Sequence, residues 1–392
     1  MGNQVLYKVR LSALLIFLAF RASGQSIDSV EHRVTLLFAG DIMGHDTQIH
    51  AAEDTVTHTY DYDTVFSYVK PIISEADVAI ANLEVTLAGP PYQGYPRFSS
   101  PVQLAGACKN AGIDYLVTAN NHAADRGIEG ITATLHRLDS IGMPHTGTFY
   151  NRRAKDTLQP LMIHAKGITI ALLNYTYGIN GLAVPDSLII NFLDKDQIAG
   201  DISEAKMQHP DFIVLFLHWG TEYDTIPSAS QNELAEYFLS AGADLIIGSH
   251  PHVLQKMEWY KDDTLYADKA VVYSLGNFVS NQRKPKTDGG SMVRIVLTKK
   301  NNITKISGAG YFLTWVYTPL INNRKKFFIL PCSEFEKKPD FFANPDDYEQ
   351  MKSFIMDSRK LLDTQNLNVP EILLHETGTA LKKDLYAPDG HF

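Results

Sequence analysis

The chain has 392 residues, 45% hydrophobic and 20% charged, an ordinary globular balance with enough apolar material for a large core. Its 44 acidic residues outnumber 35 Lys and Arg, giving a net charge of −9, so nucleic acid and anionic membrane faces are excluded as general partners. Two cysteines, Cys108 and Cys332, are too few for a disulfide-built scaffold, and Cys108 falls in the amphipathic stretch Leu104–Ala111 as a core thiol.

At the start of the chain, Lys8 and Arg10 precede the apolar run Leu11–Phe20, and the small residues Ala22-Ser23-Gly24 follow. This is the layout of a secretory signal peptide over residues 1–25, and the run is shorter than the ~20 apolar residues that span a bilayer. Export to the periplasm, the cell envelope or the medium is expected, with no transmembrane segment after processing. Removing Lys8, Arg10 and Arg21, and no acid, takes the net charge from −9 to −12.

From Val34 onward, short runs rich in Val, Ile and Leu alternate with helical stretches. The runs are Val34–Ala39, Val78–Ala81, Tyr115–Ala119, Ile168–Leu173, Phe212–Leu217 and Leu245–Ile247. Continuous apolar runs of this length, separated by helices, predict buried and largely parallel strands. Gln103–Ala111, Ile128–Ile141 and Gln231–Ala241 carry helical spacing, with Gly112, Gly142 and Gly242 placed as C-caps. Ala270–Tyr273 and Met292–Leu297 lack helical crossovers and read as antiparallel. The predicted fold class is a layered α/β sandwich of mixed sheets, with one domain over residues 33–320. A C-terminal extension over 321–392 carries an amphipathic helix, Tyr348–Asp363, and a loosely held tail.

The informative feature is what ends each run. Asp41 follows the first, with His45 close behind, and Asn82 and Glu84 follow the second. Asn121 and His122 follow the third, His218 the fifth, and His250 and His252 the sixth. Ligands of open α/β sheets bind outside the carboxyl ends of the strands, so these side chains converge on one place. Neutral imidazole and carboxylate suit Zn, Mn or Fe, an Asn carbonyl can fill an oxygen position, and no thiolate is near. Singly, each has a plainer reading: Asp41 as a turn cap, Asn82 and Asn121 as turn residues, His122 as a half-buried core histidine. Asp125 and Glu129 read as first-turn helix residues favoured by the dipole.

Six ordered motifs carry a resemblance: Phe38-Ala39-Gly40-Asp41-Ile42-Met43, Asn82-Leu83-Glu84, Ala119-Asn120-Asn121-His122-Ala123-Ala124-Asp125-Arg126-Gly127, His218-Trp219-Gly220-Thr221-Glu222-Tyr223, Gly248-Ser249-His250-Pro251-His252-Val253 and Tyr273-Ser274-Leu275-Gly276-Asn277-Phe278. They resemble the CapA family of capsule and poly-γ-glutamate synthesis proteins, itself similar to calcineurin-like metallophosphoesterases, whose layered αββα sandwich is then expected. The resemblance implies two divalent metal ions (Mn, Fe or Zn) held by Asp41, Asn121, His218, His250 and His252, with His122 as general acid. Met43 stands where the wider superfamily has a histidine, and Asn82-Leu83-Glu84 replaces its second-motif aspartates. Completing the first metal site therefore falls to Glu84 or His45, and Asn82 and Glu222 are further site candidates. Two functions follow from the resemblance. One is a metal-dependent hydrolase of an anionic envelope polymer or a phosphoester. The other is a non-catalytic assembly protein that binds a polyanionic chain beside the capsule-synthesis machinery.

Overall fold

A computed structural model of the chain describes residues 30–184, 187–261, 265–266 and 268–374. The expected signal peptide and the expected loose tail lie outside the described residues. The chain divides into Met1–Val30 and Glu31–Phe392, and the fold below is that of the second unit. Among the described residues no helix is long and apolar enough to cross a membrane.

Two mixed sheets face each other. The first runs Phe328–Pro331, Ile303–Tyr317, Gly289–Lys300, His32–Ile42, Val78–Leu83, Tyr115–Val117, His145–Thr146, with Asn277–Val279 pairing beside His32–Ile42. The second runs Met257–Tyr260, Lys269–Val272, Leu245–Ser249, Phe212–His218, Ile168–Thr176, Leu161–Ala165. Strand side chains alternate between faces, and here both faces are buried. Val34, Leu36 and Phe38 enter one core with Ile170, Leu172, Val214 and Phe216 of the facing sheet. Leu37 and Ala39 point the other way, against the helix Gln103–Ala111 through Leu104 and Cys108. On the far side, Leu173, Leu215 and Ile246 pack with Ile198 and Ile202 of Lys195–Met207 and Phe238 of Ala229–Ala241. The order is helix, sheet, sheet, helix, as expected from the sequence.

Local signals set the helices. Ser228 caps Ala229–Ala241 in a capping box with Gln231, and Gly242 ends it in the left-handed conformation that a side chain disfavours. One expectation is corrected. Lys269–Val272 pairs parallel to Leu245–Ser249 and is antiparallel only to Met257–Tyr260. The crossover that makes it parallel is that short strand rather than a helix, so no helical signal marks it. The C-terminal segment shares the central core: Met351, Phe354 and Leu362 of the helix Pro345–Gln365 pack there. Leu367 then bridges to Glu258 of the second sheet and Glu371 to Tyr311 of the first. Cys108 and Cys332 are free and buried, in different cores.

Parallel register carries the polar residues to one edge. Asp41 lies beside Asn82 and Asn277 in the first sheet, while Thr176, His218 and Ser249 form a row in the second. At Gly40 the chain passes so close to the Gly276 carbonyl that a Cβ would overlap its oxygen. Gly106, within the helix Gln103–Ala111, has nothing within 4 Å of the same position. Gly40→Ala is therefore expected to lower stability by about 1–3 kcal/mol, whereas Gly106→Ala should raise it by about 0.5–1 kcal/mol. Urea midpoints of the two variants check this; equal effects would contradict the close approach.

Candidate metal centre

Asp41, Asn82, Glu84, Asn121, His122, His218, His250 and His252 are all buried and meet at the strand ends. Glu84, just beyond the strand Val78–Leu83, is the shared member. Ligand atoms of Glu84, His218 and His250 lie within 4.8 Å of one another, and those of Asp41, Glu84 and His252 do the same. A cation with ~2.0–2.2 Å bonds to nitrogen and oxygen holds its ligands at such separations. Asn121 Oδ1 sits 2.8 Å from His218 Nε2, which places it on the His218–His250 side.

The polar neighbours orient these groups. Asn82 donates to Asp41 Oδ1 (2.8 Å) and to Ser249 Oγ (3.3 Å), which tethers the two sheets at the centre of the site. His218 Nδ1 is 3.0 Å from Ser249 Oγ, leaving Nε2 facing Asn121 and, at 3.5 Å, Glu84. His252 Nδ1 lies 3.0 Å from Asn277 Oδ1 and 3.2 Å from Asp41 Oδ2, while its Nε2 is 3.8 Å from Glu84. Such outer contacts select which nitrogen of a histidine ligates. His250 and His252 have φ of 100° and 58°, left-handed values unusual for residues with side chains. Pro251 between them bars a helix, and the His250 amide reaches Asp41 Oδ2 at 3.4 Å.

The residues fit a bound cation. Both carboxylate oxygens of Glu84 and Nδ1 of His250 are buried with no hydrogen-bond partner. Buried polar atoms normally find partners, so three orphans aimed into one nitrogen- and oxygen-lined space call for a missing positive charge. Burial, and then the neighbouring Asp41 carboxylate, push the Glu84 carboxyl well above its usual range. Burial pulls His218 well down and His250 to about 3, so both imidazoles are neutral and able to ligate at neutral pH.

His122 stands beside this centre with a different partner. Its Nδ1 donates to Asp125 Oδ2 at 2.8 Å, and its ring meets the Phe98 edge at 4.7 Å. Asp125 is thus corrected from a first-turn helix residue: the helix begins at Gly127, and Asp125 also accepts from the Phe98 amide at 2.7 Å. Glu129 does lie in that helix's first turn. His45 caps Asp46–Ala52, its Nδ1 held by Gln48 and the Asn281 amide, outside both three-ligand groups. Burial lowers it to about 4. Met43 packs in the outer core and Glu222 is exposed near the mouth. Sequence reasoning misses Ser249, Asn277 and Asn120 as orienting groups, although all three stand inside the six motifs. Asn120 holds Asn82 Oδ1 and the Leu83 carbonyl.

With six motifs delivered to one centre, family comparison is decisive. Residues 35–282 match the family described as bacterial capsule synthesis protein PGA_cap. The chain belongs to that family. It is 30% identical to the capsule biosynthesis protein CapA of Bacillus anthracis over 302 residues, 72% of this chain and 70% of that one. It is 32% identical to the PGA biosynthesis protein CapA of Bacillus subtilis (strain 168), over 67% of each chain. A crystal structure of the calcineurin-like phosphoesterase YfkN from Bacillus subtilis is similar over 72% of this chain and 91% of that one, at 12% identity and a TM-score of 0.44.

Two outcomes follow for this PGA_cap site. Replacing His250 and His252 together by Ala removes one ligand from each three-ligand group, so elemental analysis should find the bound metal lost; unaltered content would remove the site. The second concerns Glu84. Its raised carboxyl pKa means the metal-free fold favours the protonated form, and that stability is lost as pH rises through the raised value. Glu84→Gln never ionises. In chelator it should unfold at a higher urea concentration than wild type at pH 8, with the gap narrowing as pH falls, and it should lose stabilisation by added metal. A Glu84→Gln variant less stable than wild type in chelator at pH 8 would mean the carboxylate is satisfied within the protein.

Proposed function

We propose that this chain is an exported, metal-dependent hydrolase of capsule biosynthesis, cleaving a phosphoester or amide bond of an anionic envelope polymer. The observation that carries the reading is the shared Glu84 carboxylate, buried and unpartnered between the Asp41–His252 and His218–His250 ligand pairs. Two divalent cations held there (Mn, Fe or Zn) would supply Lewis-acid polarisation of the scissile group and a water acidified to react at neutral pH. Asp41, Glu84 and His252 would hold one; Glu84, Asn121, His218 and His250 the other.

The protein's own part is proton delivery and placement. Asp125 accepts from His122 Nδ1 and so directs Nε2 at the leaving group, to which a protonated His122 gives its proton as the bond breaks. Phe98, edge-on to the ring, restricts its swing. Export rests on Lys8, Arg10 and the run Leu11–Phe20, and agrees with an envelope substrate.

A second reading, a non-catalytic assembly protein holding a polyanionic chain in the same cleft, is favoured by one observation. Met43 takes the place of a superfamily ligand and lies in the core, leaving one group with three ligands. His122→Asn separates the two readings. For a hydrolase it should keep its metal and bind substrate nearly as wild type, yet turn over at least about a hundredfold more slowly. Asp125→Asn should fall between the two. For an assembly protein, His122→Asn should restore capsule to a deletion strain fully. Full restoration, with no hydrolysis by wild type, would overturn the enzyme reading.

A further inference from the structure

A cleft of about 1040 Å³ opens on the helix-covered face of the second sheet, beside the starts of the helices Arg152–Leu158 and Lys195–Met207. None of its lining residues belongs to the metal centre. Its wall carries both signs of charge: Arg152 and Lys155 on the first helix, Asp194 and Asp196 at the start of the second. Ile189 and the exposed Phe192 add apolar surface.

Two buried groups in this wall lack what burial normally requires. Lys155 is only 7% exposed, yet among the described residues its ammonium has one contact, Asp201 Oδ2 at the long distance of 3.5 Å. That carboxylate is already served by neutral donors, the Tyr175 hydroxyl at 2.8 Å and the Gln159 and Gln197 amides at 2.7 Å each. Lys155 therefore holds further N–H bonds in reserve. Asn191 gives its amide hydrogens to the Gln159 side-chain oxygen at 2.6 Å and the Asn174 carbonyl at 3.0 Å. Its Oδ1 is buried with no partner. Buried ammonium and carbonyl groups normally find partners, because their desolvation is otherwise uncompensated. One requires an acceptor and the other a donor, and both line one cleft.

We propose that this cleft is a second ligand site, separate from the metal centre, which takes a free α-amino acid with an apolar side chain. The ligand's carboxylate accepts from the Lys155 ammonium, with Arg152 at the rim, and its ammonium donates to Asn191 Oδ1. Ile189 and Phe192 receive the side chain. Charge selects this ligand over its competitors. The two cations of the wall face Asp194 and Asp196, and Asp201 lies against Lys155, so a polyanion or a phosphate meets more negative charge than positive. A zwitterion sets one charge of each sign against the wall and adds none overall. A roomy cleft with apolar walls and a few convergent polar groups is the usual form of a small-molecule site. The site stands whether or not the strand-end centre hydrolyses a substrate.

Calorimetry on the intact chain tests this with L-leucine, isocaproate, isopentylamine and inorganic phosphate. Isocaproate and isopentylamine keep the leucine side chain but carry only its carboxylate or only its ammonium. L-Leucine should bind, and each single-charge analogue should bind at least about tenfold more weakly. Phosphate should not compete. Lys155→Met, which keeps the stem and removes the charge, should weaken leucine binding by at least about tenfold. Arg152→Ala should weaken it by about two- to fivefold. Urea unfolding checks that each variant is folded; Arg152 is exposed, so its variant keeps the test open should Lys155→Met fail to fold. No binding of L-leucine, equal binding of either analogue, tighter binding of phosphate, or leucine binding that no folded variant weakens would each overturn the proposal.

Discussion

A buried carboxylate that no lysine or arginine neutralises governs the architecture. Glu84 places two oxygens in the interior, where neither an amide, a hydroxyl nor a lysine reaches them. Stranding such a charge costs several kcal/mol in protein interiors. The arrangement is stable at neutral pH only if the carboxyl keeps its proton or a cation arrives, and the nearest groups are histidines that burial keeps neutral. Those imidazoles present lone pairs rather than charge. The site is therefore shaped as a deficit of positive charge surrounded by donors of electron pairs, which is what a divalent cation requires. Any cation that filled the deficit would also stabilise the strand ends that surround it.

The two-sheet layout makes that deficit possible. In one parallel sheet, the residues beyond the strand ends project toward solvent. Two parallel halves stacked face to face let Asp41 and Glu84 from one oppose His218 and His250 from the other. At the centre of the site one amide, Asn82, donates to Asp41 in its own sheet and across the seam to Ser249. The loop Ser249–His252 then departs in left-handed backbone steps that turn His250 toward one ligand group and His252 toward the other. The strain of these steps is offset by the Asp41 contact to the His250 amide and by Asn277 on the His252 ring.

Much of this is legible in the chain because strand ends are punctuated by residue type. Runs such as Phe212–Leu217 announce a buried strand, and a polar residue directly after such a run must sit at the sheet edge. Residue order alone therefore places Asp41, His218 and the His250–His252 pair. What stays hidden depends on through-space geometry. Asp125 precedes a helix, and its spacing suits a first-turn residue equally well; only the path of the loop over residues 90–99 brings the Phe98 amide to it. Whether Glu84 or His45 completes the first ligand group stays open in the sequence, since nothing local distinguishes them; in the fold the His45 ring is taken up by Gln48. Lys269–Val272 reads with the wrong partner direction because its crossover is a strand of four residues and leaves no helical period. Asn191 lies in no motif, and a buried atom without a partner cannot be read from residue type.

The histidines of the pocket also show how environment divides labour among identical side chains. His218 and His250 pack mainly against neutral or like partners: Ser249, Asn121, each other and the Tyr177 ring. Burial outweighs what the nearby carboxylates offer them, so they serve as lone-pair donors. His122 instead has the Asp125 carboxylate on Nδ1 and the Phe98 ring set perpendicular against its side. The difference between these histidines follows from where the hydrogen-bonded carboxylate partner sits. Asp125 comes from the same turn as His122 and not from a neighbouring strand, so the local backbone alone sets that contact.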